Sequence, residues 1–102
     1  MKAKMDNFAG WVRTSDKDYL KNTFGNLLKK SNFNILSFTD YTFEPFGYTA
    51  LWLLAESHLA VHTFPEQGKA YFELSSCNAD KSASFKSELR REIGKLLKVE
   101  RQ

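Results

Sequence analysis

The spacing of apolar positions changes period several times along the chain, and each change predicts an element. Phe8 to Arg13 is short and aromatic and reads as a first strand, ending near Thr14-Ser15. Leu20, Phe24, Leu27 and Leu28 then fall at helical spacing and predict a helix over 16–30, with Ser15 as its cap and Asp16 and Asp18 at its positive end. From 33 to 43 the chain is rich in aromatic and β-branched residues, the signature of a strand, until Pro45 and Gly47 impose a turn. Tyr48 to Ala55 is nearly continuous in apolar residues, as in a strand covered on both faces. Leu59, Val61 and Thr63 alternate with His58, Ala60 and His62, which predicts a strand with one functional face. Pro65 to Gly68 supplies a turn, and Ala70, Phe72 and Leu74 alternate with Lys69, Tyr71 and Glu73 in another strand. A last helix, capped by Asp80 or Ser82, is expected from the stripe Phe85, Leu89, Ile93 and Leu96, with Gly94 weakening it slightly.

The order strand, helix, several strands, helix, short tail predicts an α+β two-layer sandwich, a mainly antiparallel sheet with two helices on one face. The second sheet face is then left open to a partner, and a homodimer is expected. A length of 102 residues, of which 42% are hydrophobic and 15% aromatic, supports a single domain over 1–102. The net charge of +3 comes largely from Lys81, Lys86, Arg90, Arg91, Lys95 and Lys98, read as a solvated helix face rather than a nucleic-acid patch. A single cysteine cannot form an internal disulfide, the charged start Met1 to Asp6 does not resemble a signal peptide, and the apolar run Ala50 to Ala55 is too short to span a membrane. The expected location is the cytoplasm, with neither membrane nor nucleic acid as partner.

Taken singly, the chemistry-bearing residues say little. His58 and His62 share a strand face but have no obvious third ligand, so no metal site is expected. A lone Cys77 is more often a small buried apolar residue than a reactive one. Ser57, at the start of a strand, is unremarkable by residue type alone.

Their spacing is more specific. Glu56-Ser57-His58, an apolar alternation, His62-Thr63-Phe64-Pro65-Glu66 and then a strand ending in Cys77 together resemble the self-cleavage and active-site segment of the S-adenosylmethionine decarboxylase family. The likeness is strong over residues 43 to 77, and the flanking elements are compatible with the short prokaryotic members.

The resemblance implies a zymogen cut autocatalytically between Glu56 and Ser57, Ser57 becoming a pyruvoyl group that serves as the cofactor. By likeness His62 assists the ester-to-alkene step and Thr49 supplies it a hydroxyl. The pyruvoyl ketone would hold the substrate's α-amine as a Schiff base while carbon dioxide leaves, and Cys77 would return a proton, since an ordinary thiol is mostly protonated near neutral pH. Matching positions imply that Phe43 and Phe64 hold the adenine of S-adenosylmethionine, with the Leu59 backbone contacting the base and Glu66 the ribose hydroxyls. The implied role lies in polyamine and spermidine biosynthesis. Two departures bear on the substrate. Phe64 stands where the family often has tryptophan or tyrosine, and Ser75-Ser76-Cys77-Asn78 where it usually has Phe-Thr-Cys-Gly. The alternative substrates are arginine and ornithine, used by relatives with the same machinery, and a non-enzymatic binding domain is a further alternative.

Overall fold

In this computed structural model, which describes residues 4–101, the strands are β1 (Asp6–Val12), β2 (Ile35–Thr42), β3 (Tyr48–Leu54), β4 (Ser57–Phe64), β5 (Lys69–Ser76) and β6 (Leu97–Arg101). They form one sheet in the order β2-β3-β4-β5-β1-β6, and every neighbouring pair is antiparallel. Helices α1 (Lys17–Lys30) and α2 (Ala79–Ile93) supply the second layer. The expected two-layer α+β sandwich is what the chain forms.

Leu20, Phe24, Leu27 and Leu28 from α1 and Phe85, Leu89 and Ile93 from α2 are buried against the inward positions of the sheet. At the centre Phe72 lies edge-on to Phe8 with ring centroids 5.4 Å apart, and Phe24 meets Phe72 at the same separation. Each of these rings is fully buried, so each contributes the whole transfer free energy of a large aromatic side chain, about 1.5–3 kcal/mol.

Both helix caps differ from expectation. Asp16, not Ser15, caps α1, because the Asp16 carboxylate accepts the Tyr19 N–H at 3.1 Å. Asn78, not Asp80 or Ser82, caps α2 by accepting the Lys81 N–H at 3.0 Å, while Ser82 is buried within the helix. Asp80 instead occupies the first turn, where its charge suits the helix dipole.

The final helix also ends earlier than its apolar stripe suggested. After Ile93 the chain passes through a 3-10 turn over Gly94–Leu96 into β6, so Lys98 lies on a strand rather than on a helix face. Leu97 and Val99 alternate there with Lys98 and Glu100, a strand period hidden by the continuation of the helical stripe to Leu96. Gly10 makes this pairing possible. A Cβ at that position would approach the Lys98 carbonyl oxygen to 2.6 Å, so β6 docks on β1 only because residue 10 has no side chain.

Strand β3 is not covered on both faces. Its inward residues are buried, but Leu51 and Leu53 are 44% and 54% exposed on the face away from the helices, beside exposed His58 and Tyr41. Apolar alternation of leucine with alanine and tryptophan reads as a continuous run, although only one parity reaches the core. The helix-free face is therefore open and partly apolar, as the expectation of a homodimer requires.

Candidate active site

Strands β3 and β4 are joined by only two residues, Ala55 and Glu56, since Leu54 pairs directly with Ser57. Of the two, Glu56 has φ +55, a left-handed conformation usually taken by glycine in such a tight connection. A non-glycine residue there is strained by roughly 1–2 kcal/mol. The strained residue is the one that precedes Ser57.

Ser57 opens β4 at an inward position, continuing the parity of Leu59 and Val61, and is 5% exposed. Its hydroxyl donates to Ser76 Oγ at 3.1 Å. Across the same end of the sheet, the Cys77 thiol donates to the Glu56 carbonyl oxygen at 3.3 Å, with the Glu56 carboxylate 3.8 Å away as a second acceptor. Glu56 and Cys77, but not the buried Ser57 and Ser76, border a depression of about 190 Å³ whose lining also includes Phe33, Asn34, Ala55, Asn78 and Lys81. The fold thus brings together a serine, the peptide carbonyl before it and an exposed cysteine.

His62, Thr49, Phe64, Phe43 and Glu66 lie toward the opposite end of the hairpin, where only Thr49 and His62 are in contact, Phe43 packing on β2 and Phe64 on β1. Thr49 and His62 are register partners on the helix-free face, and Thr49 Oγ1 lies 3.0 Å from His62 Nδ1. The half-exposed ring of Phe64 packs on Trp11 at 5.5 Å, and Trp11 is flanked by Tyr71 at 5.0 Å and by Lys69 Nζ at 4.2 Å. Phe43, just beyond β2, packs on Tyr41 at 4.8 Å. Glu66 is exposed on the short 3-10 turn Pro65–Gln67. Leu59 lies between the two ends, with its side chain in the core and its backbone between Trp52 and Leu74 in the ladder.

Ser57 and His62 do not meet within one chain. They are five residue steps apart along the strand, about 17 Å at roughly 3.3 Å per step, and their side chains leave opposite faces of the sheet. The candidate residues therefore fall into two groups, one at each end of β4.

Two polar residues beside Ser57, Ser76 and Asn78, stand out in the sequence only as departures from the family pattern, with no role attached. Ser76 is fully buried and accepts the hydrogen of Ser57, and the Asn78 backbone N–H donates to Ser76 Oγ at 3.0 Å. The available signal was parity: Ser76 follows Ala70, Phe72 and Leu74 on the inward side of β5, where an apolar residue is the rule. Elsewhere on the sheet, burial and the hydrogen bond from Tyr48 to Asp40, 2.6 Å long, push the Tyr48 phenol well above its ordinary value. No helix among the described residues is long and apolar enough to cross a membrane.

Comparison with known proteins agrees with this architecture. A crystal structure of the adenosylmethionine decarboxylase from Aquifex aeolicus VF5 superposes with a TM-score of 0.75 at 22% identity, covering 98% of this chain and 89% of that one, which shows a shared fold. An S-adenosylmethionine decarboxylase proenzyme from Prochlorococcus marinus (strain MIT 9313) is 36% identical over 84 residues, or 81% of this chain and 67% of the relative. Proenzymes of the same name from Parasynechococcus marenigrum (strain WH8102) and Thermodesulfovibrio yellowstonii are 38% and 39% identical over 65% and 61% of this chain. Those two matches span only 52% and 46% of the relatives' own lengths. The family profile described as S-adenosylmethionine decarboxylase matches residues 11–99, and the chain accordingly belongs to the S-adenosylmethionine decarboxylase family.

Proposed function

We infer that the chain is a self-cleaving decarboxylase proenzyme that acts on S-adenosylmethionine after cutting itself between Glu56 and Ser57. One observation carries the reading: the carbonyl of left-handed Glu56 accepts a hydrogen bond from Cys77 at 3.3 Å, next to a serine hydroxyl in the following residue. A strained peptide, a donor on its oxygen and an adjacent nucleophile are what an acyl shift requires.

In that shift the Ser57 oxygen bonds to the Glu56 carbonyl carbon as the Glu56–Ser57 peptide bond breaks, and the hydroxyl proton ends on the freed amine. The product is an ester. Removal of the Ser57 α-proton by a base then expels the Glu56 carboxylate and leaves an alkene, which water converts to a pyruvoyl end with release of ammonia. The residues at the junction fit such a group, because the position is inward-facing and hydrogen-bonded and has a protonatable thiol nearby. When formed, the pyruvoyl group supplies a ketone that accepts the electrons freed as carbon dioxide departs. Cys77, exposed on the depression, is suited to deliver the proton that replaces the lost carboxyl group.

The base for the elimination is His62, held by Thr49, and it comes from a second copy. Its distance from Ser57 within one chain excludes direct transfer between them, since a general base must reach hydrogen-bond distance. Two copies that join their open sheet faces around a two-fold axis, with β4 strands running in opposite directions, bring the His62 end of one beside the Ser57 end of the other. Exposed Leu51 and Leu53 on that face support such an interface. Phe64 and Glu66 then belong to the same composite pocket as His62 and suit an adenine and a ribose, respectively.

Release of carbon dioxide from carboxyl-labelled S-adenosylmethionine, arginine and ornithine tests the substrate. Release from S-adenosylmethionine alone is expected. Release from either amino acid and not from S-adenosylmethionine overturns this substrate assignment while leaving the pyruvoyl chemistry intact.

A further inference from the structure

Ser57 and Ser76 stand directly opposite each other in the β4–β5 register, and both side chains point to the helix side. The Ser76 oxygen accepts the Asn78 backbone N–H at 3.0 Å, and the Ser76 hydroxyl proton is directed to the Asn78 carbonyl oxygen at 3.4 Å. In that orientation Ser57 is the donor in the 3.1 Å bond between the two hydroxyls. Both lone pairs of Ser57 Oγ consequently remain free for nucleophilic attack. Asn78 is itself fixed, because its side chain caps α2 through the Lys81 N–H.

We propose that Ser76 is a positioning residue for self-cleavage: anchored by the capped end of α2, it holds the Ser57 hydroxyl by its hydrogen and leaves the oxygen free to attack Glu56. This rests on the self-cleavage reading above and concerns only its first step. Over that step the Ser57 oxygen gains a bond to the Glu56 carbon, the carbon–nitrogen bond breaks, and the proton moves to the Ser57 nitrogen. Ser76 neither gains nor loses a proton. Its contribution is geometric, restricting a rotamer that a buried serine would otherwise leave to chance.

The test follows conversion of freshly purified wild type, Ser76→Ala, Ser76→Thr and Ser76→Cys with time by denaturing gel electrophoresis under reducing conditions. Parallel samples contain hydroxylamine, which splits an ester but not an amide. Ser76→Ala and Ser76→Cys are expected to cleave roughly tenfold more slowly than wild type, and Ser76→Thr, which keeps the hydroxyl, within about twofold of it. Because the lost step precedes the ester, hydroxylamine leaves Ser76→Ala slow, whereas it cleaves His62→Ala, in which ester accumulates. Thermal midpoints measured in a Ser57→Ala background separate these effects from loss of the fold, and Ser76→Cys carries the test should alanine prevent folding. Cleavage of both Ser76→Ala and Ser76→Cys at the wild-type rate, or their rapid cleavage by hydroxylamine, overturns the role of Ser76 while the self-cleavage reading stands. A wild type that is never cut overturns both.

Discussion

Replacing Glu56 by glycine separates backbone strain from side-chain chemistry at the proposed scissile bond. Glu56 has φ +55, which costs an L-residue roughly 1–2 kcal/mol, and glycine removes that cost. Glycine also loses more backbone freedom on folding, roughly 0.5–1 kcal/mol in the opposite direction. The strain is the larger quantity, so Glu56→Gly is expected to stabilise the uncut chain by about 0.5–1 kcal/mol. For a domain of this size that corresponds to a rise of roughly 2–8 °C in Tm, measured by differential scanning calorimetry on Ser57→Ala proteins so that cleavage does not intervene. If the strain is released as the peptide becomes an ester, the same amount is lost from the driving force for cleavage, which slows roughly two- to fivefold in the Ser57 protein. Glu56→Ala is the control, because it removes the carboxylate 3.8 Å from Cys77 but keeps a side chain in the left-handed region. Its uncut form gains no stability. A Glu56→Gly protein that melts with Glu56→Ala and cleaves as fast as wild type refutes the idea that strain at this turn assists the reaction.

The composite site predicts complementation. Ser57→Ala chains retain His62, and His62→Ala chains retain Ser57, so co-refolding the two restores cutting of the His62→Ala chain that neither variant shows alone; mass spectrometry of isotopically distinguished chains reads this, and absence of cutting in a verified mixed dimer contradicts catalysis across copies. Tyr48→Phe removes the 2.6 Å bond to Asp40 and is expected to cost about 1 kcal/mol at neutral pH, because the exposed Asp40 regains water. The phenol is raised in the folded state, so its contribution is fully present below the free-tyrosine pKa of about 10 and is lost as pH rises beyond it. Chemical denaturation of both proteins should therefore show a gap that narrows above about pH 10; a gap that widens there contradicts the assignment.

Much of the fold was legible because the inward residues of α1, β4 and β5 keep one period without interruption. The errors arose where two patterns overlapped. Leu96 extends the α2 stripe beyond the point at which Leu97 and Val99 begin β6, and a residue-by-residue apolar scan cannot separate them. Leu51 and Leu53 are as apolar as the core residues beside them, so the sequence does not distinguish the buried face of β3 from its exposed one. At the candidate site, Ser57, Cys77 and Glu56 stand out in the sequence only through the family resemblance, and the structure adds the contact between Cys77 and the Glu56 carbonyl. The separation of His62 from Ser57 was less apparent in sequence, because five residue steps are few along the chain but span about 17 Å in an extended strand. Ser76 carried no role in the sequence because its importance lies in the register that sets it opposite Ser57, and no local pattern specifies that register.

The most direct measurement is the intact mass of the folded protein, taken on release from the ribosome in a cell-free system and again after prolonged incubation. The account predicts conversion of one chain into two, the first ending at Glu56 and the second lighter than a Ser57-started peptide by the difference between serine and a pyruvoyl group, one ammonia. A folded chain whose mass never changes, or a second fragment that retains a free serine amine, contradicts it.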